Sequence, residues 1–132
     1  MSRPDPLGSA QRARLGAIRL AMLAGVLVFG AVVWFMRRNG SAPAATSAGI
    51  LDVVSYAAIG IGLVGIVVLW RVLAKASTAE KYANTAVMGW ALGELAALGG
   101  GVHFFLTGDP TRYVIGVMVM LMSFVLIPLR RT

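Results

Sequence analysis

Glu94 and His103 are the residues with the most chemistry to offer. Glu94 is the thirteenth of 25 residues in the apolar stretch 82–106. If that stretch crosses a bilayer, the carboxyl sits near the midplane, where an ionisable group costs roughly 2.5–3.5 kcal/mol. The other apolar runs place no Lys, Arg or second carboxylate at that depth. Desolvation without a cation favours the neutral carboxyl, which then donates a hydrogen bond. Ser123, at similar depth in the last apolar run, is the expected partner. Two roles compete for Glu94: a proton-binding carboxyl, and a neutral hydrogen-bonded packing residue.

His103 is the single histidine and follows Glu94 by nine residues. At about 100° per residue that is the opposite helix face, so the two do not form one site. Gly99 lies one turn earlier, leaving room for a flat macrocycle, so a haem or chlorophyll is one possible ligand of His103. The alternative is a hydrogen bond at the membrane interface. Met118, Met120 and Met122 alternate, which scatters them over different helix faces and makes them apolar filler rather than a metal site. There is no cysteine, and no phosphate-binding loop or nucleophile–base pair. No enzyme, metal or obligatory cofactor is expected.

The elements that must position these groups are helices in lipid. Of 132 residues, 58% are hydrophobic and 13% charged, against roughly 25% charged in soluble domains. Charge-free runs occupy 20–36, 53–70 and 113–129, and the run 82–108 is broken only by Glu94. They predict an all-α bundle of four transmembrane helices over about 17–37, 51–71, 82–106 and 112–129. Residues 1–14 form a polar tail, and 15–132 the membrane domain. The three uninterrupted runs have 17, 18 and 17 residues. That barely spans a hydrocarbon core, so Arg19 and Arg71 are expected to snorkel. Trp34, Tyr56, Trp70, Tyr82 and Tyr113 fall near the interfaces, as an aromatic belt. Asp109-Pro110 signals the last turn, and Pro128 the end of the last helix.

The net charge of +7 does not imply nucleic acid, because the basic residues flank the apolar runs. Nine of them (Arg3, Arg12, Arg14, Arg19, Arg71, Lys75, Lys81, Arg130, Arg131) fall on one side, against Arg37, Arg38 and Arg112 on the other. The positive-inside rule then puts both termini in the cytoplasm, and a bacterial inner membrane is the expected setting.

Between helices in lipid, small residues that permit close approach matter most. Gly89, Gly93, Ala97 and Gly101 recur every four residues. Gly25 and Gly62 offer similar sites in the first and second spans. Such surfaces suit packing within the bundle, and some suit another subunit or a second copy.

The segment 55–106 resembles the hairpin of a rotary ATP synthase c subunit. Its Ile59-Gly60-Ile61-Gly62-Leu63-Val64-Gly65 stands where that family has a Gly-rich first helix, residues 71–81 stand for the polar cytoplasmic loop, and Glu94 falls on the position of the proton-carrying carboxyl. The resemblance implies proton binding at Glu94. The loop lacks the family's Arg-Gln-Pro-type motif, and two further spans flank the hairpin. The primary expectation is therefore a non-catalytic subunit packing in a larger membrane complex, bioenergetic or transport. Proton translocation through Glu94 is the alternative, and haem or chlorophyll ligation by His103 a third.

Overall fold

A computed structural model describes residues 7–45 and 49–129. The tail through Pro6 with Arg3, residues 46–48 of the first loop, and the closing Arg130 and Arg131 lie outside the described residues. Four helices follow in order: α1 (Ser9–Arg38), α2 (Gly49–Leu73), α3 (Ala79–Thr107) and α4 (Thr111–Leu126). The chain is an all-α four-helix bundle. The first three helices are long and apolar enough to cross a membrane. α1 starts earlier than the apolar pattern suggests, because Ser9, Ala10, Gln11, Arg12, Ala13 and Arg14 continue its helix toward Gly8.

α4 has 16 residues, a rise of about 24 Å, shorter than the predicted 112–129. The shortening is at its end, where Pro128 has no N–H to continue the helix. The carbonyls released at its end are taken up by α3. Trp90 Nε1 donates to Ile127 O at 3.2 Å, and the Tyr82 hydroxyl donates to Pro128 O at 2.5 Å. Tyr82 is accordingly buried rather than placed in the aromatic belt. Trp34, Tyr56 and Trp70 do face outward. The Tyr113 hydroxyl turns inward and donates to Val26 O at 2.8 Å.

α3 is the hub: it packs on α1, α2 and α4, whereas α1 and α2 do not meet. The small-residue column explains its tight seam with α4. A Cβ on Gly93 would stand 2.8 Å from Met120 Cα, and one on Gly100 would stand 2.7 Å from Tyr113 Cα. Gly116 of α4 returns the contact, its Cβ direction lying 2.6 Å from Ala97 Cα. Gly89 meets Ile127, and Gly101 meets Phe29 of α1. Gly62 carries the α2 contact, 3.1 Å from Leu92 O. Gly25 is different. It is exposed and nothing lies within 4 Å of it; α1 makes its close approach at Gly30, beneath the Tyr113 ring.

Arg19 lies against two aromatic rings. Its guanidinium stacks on Phe124 at 4.4 Å and on Trp90 at 5.8 Å, and those two rings meet edge-to-face at 6.0 Å. Such contacts are worth about 0.5–2 kcal/mol and hold the partly exposed side chain against the bundle. Arg71 is exposed.

α1 and α3 run parallel, with α2 and α4 antiparallel to them. One end of the bundle therefore gathers the starts of α1 and α3, and Leu129 lies 3.7 Å from the Cβ direction of Gly16. The other end gathers the start of α2, the end of α3 and the α3–α4 turn. In that turn Gly108 adopts φ 81°, which favours glycine, and its N–H closes α3 on Phe104 O at 2.9 Å.

Candidate functional site

The second end carries a polar cluster built from three helices. Asp52 lies in the first turn of α2, where the helix dipole favours a carboxylate. His103 is one turn from the end of α3, and Arg112 is the second residue of α4. Arg112 reaches α2 because Gly100 has no side chain. The first turn of α4 lies directly on α3 there, with Arg112 C only 2.6 Å from the Gly100 Cβ direction.

The three side chains converge on one oxygen. Asp52 Oδ1 accepts from His103 Nε2 at 2.7 Å and from Arg112 Nη2 at 3.2 Å. The Arg112 guanidinium also stacks on the Tyr56 ring at 3.7 Å, one helical turn along from Asp52. His103 is 3% exposed, the Arg112 side chain 13% and the Asp52 side chain 34%. The carboxylate thus opens toward the surface while its cationic and imidazole partners lie behind it. A neighbouring tie closes the same end: Arg37 of α1 donates to Phe105 O on α3 and to Pro43 O, the latter at 2.9 Å.

Both nitrogens of the His103 ring face oxygens. With Nε2–H donated to Asp52, Nδ1 faces the Thr107 hydroxyl oxygen at 3.3 Å. That hydroxyl donates to His103 O at 2.8 Å, the usual back-bond of a helical threonine. The space before His103 is not open. The Cβ direction of Gly99 meets Ala58 Cβ at 3.1 Å, so α2 fills the place a macrocycle would need. Among the described residues no group of three or more His, Cys, Asp or Glu could hold a metal ion.

Glu94 and Ser123 are not brought together. Ser123 is fully buried and donates to Met120 O at 2.6 Å within α4. It packs beneath Gly93, 2.8 Å from that residue's Cβ direction. Glu94 leaves α3 about 100° further round. It lies on the side shared by Trp90 and Gly101, which meet Arg19 and Phe29 of α1. It is half-buried, and it forms no hydrogen bond or ion pair among the described residues. Arg19 stacks on the rings of Trp90, one helical turn before Glu94, and of Phe124.

The sequence reading does not bring Asp52 and Thr107 to His103, nor Arg112 and Tyr56 to the same cluster. Asp52 reads in the sequence as the edge of a span and Arg112 as a flanking charge. The available signal was depth: in an up-and-down bundle the start of α2, the end of α3 and the start of α4 share one interface. In the adjoining turn, Asp109 caps α4 by accepting from Thr111 Oγ1 at 2.6 Å and Thr111 N at 3.0 Å. Those hydrogen bonds, the hydroxyl first, hold its carboxyl below the ordinary carboxylate range.

Compared with models of protein families, with curated proteins and with solved structures, the chain matches none.

Proposed function

We propose that this chain is a non-catalytic, multi-pass membrane subunit that packs beside other membrane-embedded protein, with both termini cytoplasmic, in a bacterial inner membrane. The observation that carries the reading is Glu94, a half-buried carboxyl on α3 with no partner of its own among the described residues. An ionisable group without a partner is expensive within a membrane, and a polar group on a neighbouring subunit removes that cost. The broad outward surfaces of α1 and α2, including Leu20, Phe35, Ile50 and Val64, leave ample area for such a neighbour or for a second copy.

The test separates the chain from its complex. Glu94→Leu should leave the thermal stability of the isolated chain nearly unchanged, because no hydrogen bond or ion pair is lost among the described residues. It should weaken the complex purified in mild detergent by about 1–3 kcal/mol, the cost of leaving the neighbour's polar group unpaired. Glu94→Gln, which keeps the shape and the hydrogen bonding, should be nearly silent in both. A complex that tolerates leucine as well as glutamate, or a chain that purifies only as a 13.9 kDa monomer, refutes the proposal.

The same open carboxyl favours a second reading, proton binding by Glu94. That reading requires carbodiimide labelling of the residue, and a Glu94→Gln protein that assembles normally but fails to move protons. Such a pair of results would displace the accessory role.

The orientation has its own check. The chain has no cysteine, so single cysteines report cleanly at Ser9, Ser41 and Ser77, all exposed. In intact cells an impermeant thiol reagent should label Ser41→Cys and spare Ser9→Cys and Ser77→Cys. The opposite pattern inverts the orientation.

A further inference from the structure

A groove of about 630 Å³ runs between α1 and α3 at the end where both helices begin. Its composition changes along its length. At the helix starts it is lined by Arg14 from α1 and by Glu80 and Asn84 from α3. Leu15 follows directly, and one to two turns deeper the groove is lined by Ile18 and Val87. Since α1 and α3 are long and apolar enough to cross a membrane, the polar mouth lies at headgroup level and the apolar floor at acyl-chain level. The bundle's architecture opens the groove: α2 and α4 take the other sides of α3, so nothing from them covers the α1–α3 seam here.

Arg14 and Glu80 carry opposite charges on opposite walls of the mouth. Both are exposed, and neither forms an ion pair or hydrogen bond among the described residues. A cation and an anion that share a groove without closing on each other fit a ligand carrying both complementary charges. We infer that the groove binds a phospholipid whose headgroup bears a primary ammonium. Its phosphate pairs with Arg14 through charge-assisted hydrogen bonds. Its ammonium donates to the Glu80 carboxylate and the Asn84 carbonyl, and one acyl chain lies along Ile18 and Val87. A glycerol headgroup satisfies Arg14 but brings no cation to Glu80. A choline headgroup brings a cation with no N–H to donate.

Native mass spectrometry of the full chain, released from detergent after equilibration with dioleoyl lipids, tests the assignment. Phosphatidylethanolamine should be retained roughly tenfold over phosphatidylglycerol and phosphatidylcholine, the ratio expected for one charge-assisted hydrogen bond. Glu80→Gln should erase the preference for phosphatidylethanolamine over phosphatidylcholine. Arg14→Gln should lower retention of all three, and Ala83→Trp, which fills the groove, should abolish it. Circular dichroism identical to the parent's establishes that each variant is folded. Glu80 is exposed, so its replacement stays informative even if the tryptophan variant misfolds. Equal retention of the three lipids overturns the assignment, as does a preference that survives Glu80→Gln. A protein lost from the purified material on Ala83→Trp while lipid retention is unchanged assigns the groove to a protein and also overturns it.

Discussion

Gly116→Ala is expected to rank, with Gly100→Ala, among the most damaging single-methyl changes at the described residues. The added Cβ would stand 2.6 Å from Ala97 Cα and 2.7 Å from Ala96 C, both backbone atoms of α3. Backbone cannot rotate aside as a flexible side chain can, so α4 must translate away from α3. That movement opens the closest seam in the bundle, along Gly93, Ala97 and Gly100. Overpacking of this kind costs about 1–3 kcal/mol or more. In lipid, loosened helices regain no hydrophobic attraction to offset the loss. Thermal unfolding in a fixed detergent should show a clear fall for Gly116→Ala. Gly25→Ala, with nothing within 4 Å, should be neutral or slightly stabilising, since alanine is the better helix former. Equal behaviour of the two variants would mean that α3 and α4 do not meet at Gly116.

Asp52→Leu should have the second large effect. The carboxylate oxygen is shared by His103 and Arg112, and its removal strands an imidazole that is 3% exposed and a guanidinium that is 13% exposed. A pair broken by deleting one member costs about 3–5 kcal/mol when buried. Asp52 is one-third open to the surface, so the lower end or somewhat less is expected. Asp52→Asn keeps an oxygen to accept from either donor and loses only the charge, so it should fall between leucine and the parent. The readout is the unfolding temperature together with the order of the variants. If leucine and asparagine are equally harmless, the convergence on Oδ1 contributes nothing to stability.

The membrane character and the four helices were written in the sequence, whereas the start of α1 at Ser9 and the end of α4 at Leu126 were not. A helix in lipid must satisfy its backbone internally and present an apolar surface for the thickness of the bilayer. Those constraints act locally and leave a linear trace in charge-free runs such as 20–36 and 53–70. The spacing of Gly89, Gly93, Ala97 and Gly101 was equally legible, since a four-residue repeat fixes a helix face whatever that face meets.

What the column meets was decided by tertiary structure. Gly93 and Ala97 close on α4, Gly101 on Phe29 of α1, and the exposed Gly25 on nothing. Depth along the bilayer can be read from position in a span, which suggested Ser123 for Glu94. Azimuth around the bundle cannot, because it depends on which neighbour each face selects. α4 settled with Ser123 beneath Gly93, one residue and about 100° from Glu94. The same rotation brought Asp52, His103 and Arg112, which are separated by 51 and 60 residues from Asp52, onto a single oxygen. Residue types and spacing set what each helix could offer; the close approach permitted at Gly100 and Gly116 decided which offers were taken up.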